Sequence, residues 1–154
     1  VSPPEDTKWL TDQEQAAWRG YLALLRLVTT SIDRQLQDEA GLPHGYYQIL
    51  AMLSEAEGGT LRMSQLAEVT MTSQSRISHA VSALEERGWV QRAPSTEDRR
   101  GHTASLTDSG FAALAELAPG HVAEVRRLIF DRLSPAQVAA LTGIADSITA
   151  ARGA

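Results

Sequence analysis

The stretch TDQEQAAWRGYLALLRLVTTSIDRQLQDEAG, residues 11–41, constrains the fold more than any other part of the chain. Apolar residues recur at Trp18, Tyr21, Leu22, Leu25, Val28, Ile32 and Leu36. That spacing marks one face of a helix over about seven turns. Thr11 is placed to cap it and Glu14 to reach back, while Gly41 suits the position just past its end. A helix of this length exceeds the usual globular size, and its apolar face needs cover along most of its length. Whatever the rest of the chain does, it must supply or attract that cover.

The remainder is punctuated into short units. Residues 1–10 read as a loose arm with Pro3 and Pro4. Pro43 opens a second helix with the body YYQILAMLSEAEGG, closed by Gly58 and Gly59. TLRM is a scrap of strand, SQLAEV (64–69) a helix of under two turns, and TMT a tight turn. SQSRISHAVSALEERG follows as a longer helix over 73–87, with Ile77, Val81 and Leu84 inward and Gly88 as its stop. WVQRA and HTASL alternate as strands around the turn-rich tip PSTEDRRG, the pattern of a hairpin. Thr107 caps a further helix reaching about Leu133, which Pro119-Gly120 should kink or break. Ser134 and Pro135 restart a last helix through Val138, Leu141, Ile144 and Ile148. Helix, short helix, tight turn, longer helix and hairpin in this order make a winged helix-turn-helix.

Composition narrows the function. The chain has no cysteine, which removes disulfides, thiolate metal sites, cysteine nucleophiles and thiol redox sensing. No apolar run approaches a membrane span, and VSPPEDTKW lacks the basic and apolar regions of a signal peptide, so the expected location is the cytoplasm. The net charge is −5, but it is unevenly spread. Residues 60–107 carry six arginines against five acids, whereas the flanks carry eight basic residues against fourteen acids. There is no Gly-rich phosphate loop, nucleophile elbow or His-Glu-x-x-His, and the four histidines (44, 79, 102, 121) fall in different elements. The chain is therefore read as no enzyme and as needing no cofactor. Two alternatives are a zinc- or other metal-responsive regulator, for which His121 and Glu124 form an i, i+3 pair, and a non-DNA-binding interaction module.

The helix 73–87 carries the chemistry of base reading. Ser73, Gln74, Ser75, Arg76, Ser78 and His79 lie toward its N-terminal end, opposite the apolar set. Gln suits adenine, Arg suits guanine, and hydroxyls reach phosphates or either base edge. Ser64, at the start of the bracing helix, belongs with them.

The segments MSQLAEVT, SRISHAVSALEERGWVQR, EDRRGHTASLTDSG and LSPAQVAAL stand in an order and spacing that resembles the MarR (multiple antibiotic resistance regulator) family of transcription factors, over roughly residues 11–150. The most specific part is Asp98-Arg99-Arg100 followed by Leu106-Thr107 and Gly110. The resemblance implies a mainly α fold with a small β-hairpin wing, a winged helix-turn-helix (41–107) between an N-terminal arm and dimerisation helix (1–40) and C-terminal dimerisation helices (108–154). It implies a homodimeric repressor of a pseudo-palindromic operator in double-stranded DNA, with half-sites about 10 bp apart. The wing tip then enters the minor groove, with Arg100 inserted, Asp98 orienting it through a charge-assisted pair, and Arg99 on phosphate. A small anionic or phenolic effector is implied between the dimerisation helices and the reading unit, with Trp18, Tyr21, His44 and Tyr47 as candidate contacts. By spacing alone, Trp18 and Tyr47 read as core. The chain departs from the family pattern at Thr103 and Ala104, where larger aliphatics are common, and at His79, where a basic residue is common.

Overall fold

The computed structural model describes residues 7–95 and 101–150. Its first helix, α1 (Asp12–Ala40), begins with the expected capping box. The Thr11 hydroxyl accepts from Glu14 N–H at 3.2 Å, and Glu14 accepts from Thr11 N–H at 2.7 Å. Gly41 ends the helix with φ 57°, a left-handed conformation that glycine adopts without a Cβ penalty. The chain turns through Leu42, fully buried, into α2 (His44–Glu55). Pro43 precedes α2 and offers no side-chain cap; Asp33 of α1 supplies one, accepting from His44 N–H at 3.0 Å.

The helix α2 is the centre of the molecule. Tyr47, Ile49, Leu50 and Leu53 are buried on it, and Leu36, Leu66, Val81 and Leu84 close over them with no solvent exposure. Those partners come from α1, from α3 (Met63–Val69) and from α4 (Gln74–Glu86). Between α3 and α4 the turn places Met71 at φ 51°, uncommon for a residue with a side chain.

The scrap of strand TLRM is β1 (Thr60–Arg62), one of the two outer strands of a three-stranded antiparallel sheet. The hairpin strands β2 (Val90–Pro94) and β3 (His102–Leu106) complete it in the order β1-β3-β2. Ala104, opposite both Leu61 and Arg92, is fully buried at the sheet centre. The small side chain there lets the sheet lie close to the core.

The helix α5 (Asp108–Leu128) starts under the hairpin. The Thr107 hydroxyl accepts from Gly110 N–H at 3.0 Å and donates to the Gly88 carbonyl at 2.7 Å. Gly110 faces the Trp89 carbonyl so closely that any Cβ would collide with it, which explains the glycine at this place in the motif. The break expected at Pro119-Gly120 does not occur: α5 runs on through Pro119. Packing along α1 holds it, and Gly120 lies directly under the Glu39 carboxylate, where no side chain intervenes. A 3-10 turn, Phe130–Arg132, leads to α6 (Pro135–Ala150), where Ser134 accepts from Gln137 N–H at 3.3 Å.

The long apolar face of α1 divides in two. Ile32 and Leu36 are buried, but the N-terminal half is open. Trp18, which spacing assigns to the core, is 52% exposed, and Tyr21, Leu24, Leu25 and Leu27 are exposed with it. No residue of α6 is buried. Among the described residues no helix is long and apolar enough to cross a membrane.

Candidate nucleic-acid interface

The helix α4 buries Ile77, Ala80, Val81 and Leu84, which turns its opposite face outward. Ser73 is its N-cap, accepting from Arg76 N–H at 3.4 Å. Gln74, Ser75 and Arg76 are exposed on the first turn, and Ser78 is half-buried one turn on. These residues therefore stand together, at the N-terminal end, as the spacing indicates. His79 is exposed, and its Nδ1 lies 3.5 Å from the Tyr46 hydroxyl on α2.

Beside this face runs a cleft of about 330 Å³ between α4, the start of α3 and the hairpin. Ser64, Gln74 and Ser78 border it, as do Arg62, Arg92, Ser95 and His102, which sequence reasoning missed. Arg62 is the residue before α3, its N–H donating to Gln65 at 3.0 Å. Arg92 carried a usable signal: strand alternation puts it on the same side as buried Val90, an unusual place for a charge. The wing-tip residues Asp98, Arg99 and Arg100 lie outside the described residues.

Two arginines tie α4 to its surroundings. At its C-terminal end, Arg87 donates to the carbonyls of Ala40 (3.3 Å), the last residue of α1, and of Gly41 (3.0 Å), its C-cap, and lies 5.1 Å from the Trp89 ring centre. Along its flank, Arg92 donates to the Ser82 hydroxyl (2.8 Å) and the Ser78 carbonyl (3.3 Å) and pairs with Glu85 at 3.2 Å.

The four candidate effector contacts fall into two pairs. Trp18 and Tyr21 stack, with ring centres 5.9 Å apart, on the open half of α1. His44 and Tyr47 lie where α1, α2 and α5 meet. The His121 ring of α5 sits 4.2 Å from Tyr47 and 5.8 Å from His44. Tyr21 and Asp33, the partner of His44, are separated by about 18 Å of helix. Burial lowers the pKa of both histidines; for His44 the Asp33 carboxylate opposes this, and for His121 the His44 ring adds to it. Burial also raises the Tyr47 hydroxyl. An open groove of about 540 Å³ next to His44 is bordered by Thr29, Thr30, Asp33 and Arg34. The i, i+3 pair considered for zinc is otherwise engaged: both Glu124 oxygens accept from Arg127, at 2.6 and 2.8 Å. Among the described residues no group of three or more His, Asp or Glu is arranged to hold a metal ion.

A model of the MarR family matches residues 40–101, the span from the end of α1 to the hairpin. Sco3205, a MarR family transcriptional regulator from Streptomyces coelicolor solved in complex with DNA, is 44% identical. It superposes with a TM-score of 0.89 over 95% of this chain and 91% of its own. AbsC, a MarR family transcriptional regulator from the same organism, is 43% identical with a TM-score of 0.88, covering 96% of this chain and all of its own. Among curated proteins, the transcriptional repressor YetL of Bacillus subtilis is 32% identical over 85 residues, which are 55% of this chain and 51% of YetL. The chain thus spans about half the length of that curated relative.

Proposed function

The chain belongs to the MarR family of transcriptional regulators, and from that membership we propose that it binds operator DNA as a homodimer and represses transcription. The observation that carries this reading is the outward N-terminal face of α4, bearing Gln74, Ser75 and Arg76 beside a cleft that Arg62 and Arg92 border. Amide, hydroxyl and guanidinium groups on a helix of this size suit base edges in a major groove, and the cleft between helix and hairpin suits the adjoining backbone. The DNA complex of Sco3205 supports the same use of the fold. The second copy is supported by the open apolar faces of α1 and α6, which a lone chain leaves in water. A two-fold dimer then places two α4 helices about one DNA turn apart.

Selection of bound duplexes from a random library at physiological salt tests the reading. An A·T-flanked inverted repeat with half-sites about 10 bp apart is expected. No enrichment, with the protein folded and dimeric, overturns it. Arg100→Ala is expected to weaken binding at least about tenfold, mostly on A·T-flanked sites. Asp98→Ala is expected to weaken it too, although it removes a negative charge; tighter binding contradicts an orienting role.

The effector site we place at His44, Tyr47 and His121, where ring surfaces meet polar atoms beside a groove, with Trp18 and Tyr21 as the more remote candidates. An aromatic carboxylate or phenol that preferred the non-DNA state a hundredfold would shift the balance by roughly 2.7 kcal/mol per site. A panel of such compounds that neither raises the melting temperature nor releases DNA rules this site out.

A further inference from the structure

We propose that Arg92 is a positioning residue for DNA reading, a strut that makes the wing and the recognition helix one rigid reading head. The inference rests on the DNA-binding role proposed above and adds the element that sets its geometry. The strand β2 is an edge of the sheet, and among the described residues its outer backbone groups have no strand to pair with. At Arg92 that edge is joined to α4 instead: Arg92 N–H donates to Glu85 Oε1 at 2.9 Å. The side chain then turns along α4. One guanidinium nitrogen reaches the Ser78 carbonyl, the Ser82 hydroxyl and Glu85 Oε2, so the contacts span two turns of the helix.

Three features give these contacts more weight than an ordinary surface pair. The Arg92 and Glu85 side chains are about one quarter and one third exposed, so solvent screens them less than an open pair. Backbone and side chain of one residue both engage α4, which fixes distance and rotation together. The Ser78 carbonyl also accepts from Ser82 at 3.0 Å, so the strut ends on the turn that carries Ser78 at the cleft wall. With the strut in place, β2 has a fixed direction relative to α4. Half-site reading by α4 and flank reading by the tip are then geometrically coupled.

The chemistry predicts a distinctive substitution pattern. The strut's side-chain contacts all come from one terminal guanidinium nitrogen, which stands a bond farther from the backbone than a lysine ammonium, so lysine falls short of them. A phosphate contact depends mainly on charge, which lysine keeps. Arg92→Ala and Arg92→Lys, with the wild type, are taken through the random-duplex selection and then titrated on the duplex the wild type selects. Both variants are expected to lose affinity on the order of tenfold, keep the half-site and lose the A·T flank preference. Arg100→Ala is expected to cost much less in the Arg92→Lys background than in the wild type, because the tip is already misdirected.

Hydrogen–deuterium exchange of the free proteins reads the strut without DNA. Exchange over 90–95 and 101–106 is expected to quicken in both variants while α2 stays protected. Unchanged exchange overturns the strut. Restoration of affinity by lysine makes Arg92 a phosphate contact, and an intact flank preference in both variants makes it structural only; either overturns the positioning role. An empty wild-type selection overturns the DNA reading and the positioning role with it, while the exchange result still decides whether the strut exists.

Discussion

The helices α4 and α6 are similar in length and opposite in fate. Over 13 residues α4 buries four side chains against α2 and its neighbours, with Val81 and Leu84 wholly inaccessible. Over 16 residues α6 buries none, although Ile144 and Ile148 are 58% and 65% exposed. The N-terminal half of α1 behaves like α6. Hydrophobic residues cannot explain the difference, since both helices have them; what differs is whether the same chain provides a surface to meet them. The core is closed by helices of this chain, whereas α6 and the N-terminal half of α1 keep their apolar side chains exposed.

The sharpest way to break this contrast is in the core. Leu50→Ala removes a fully buried side chain from the middle of α2 and is expected to cost about 2–5 kcal/mol by denaturant titration. A much smaller loss means the domain draws its stability from elsewhere. The paired change Ile144→Glu and Ile148→Glu addresses the ends. It is expected to reduce the mass seen by light scattering at micromolar concentration to that of one chain, while the core keeps a cooperative unfolding transition. An unchanged mass removes α6 from the dimer contact.

A smaller effect comes from the junction of core and ends. His44 and His121 are neutralised more easily in the folded protein than in the unfolded chain, because burial lowers both. A base whose folded pKa is depressed binds fewer protons in the native state, so stability rises with pH up to its unfolded value near 6.5 and declines beneath it. Melting temperatures across roughly pH 5 to 7.5 are expected to show that slope, and His121→Phe to flatten it while keeping the ring contact with Tyr47. The smallest effect belongs to Thr11→Ala, which removes one half of the α1 capping box. It is expected to cost about 1 kcal/mol or less, and less again if the N-terminal half of α1 frays in the free chain.

The same division governs how far the fold could be read from sequence. Elements with their own punctuation were legible: the Thr11 and Glu14 box, the Thr107 cap, the Ser134 and Pro135 restart, and the polar face of Gln74, Ser75 and Arg76 opposite Ile77 and Val81. Periodicity could not distinguish an apolar face that finds a partner within the chain from one that does not, so Trp18 and Leu36 look alike on the helix and end in different surroundings. Pro119 illustrates the reverse case, a local breaker overridden by packing along a neighbouring helix. At the candidate site, the exposed polar face of α4 followed from residue type and spacing. The contributions of Arg62, Arg92 and His102 depend on three segments meeting across the hairpin. The approach of His121 to Tyr47 likewise joins residues more than seventy positions apart, beyond the reach of any local pattern.

The Arg87 contact with the last carbonyls of α1 makes that helix a lever. Its 29 residues extend about 43 Å. Tilting a rod of that length by about 3° displaces its far end by about 2 Å, on the scale of small helix shifts that separate working states of other proteins. Because Arg87 grips the end of α1 from the end of α4, the two helices share one anchorage at that corner. Ile32 and Leu36 hold the C-terminal half of α1 in the core, so the end that swings is the open one, near Trp18.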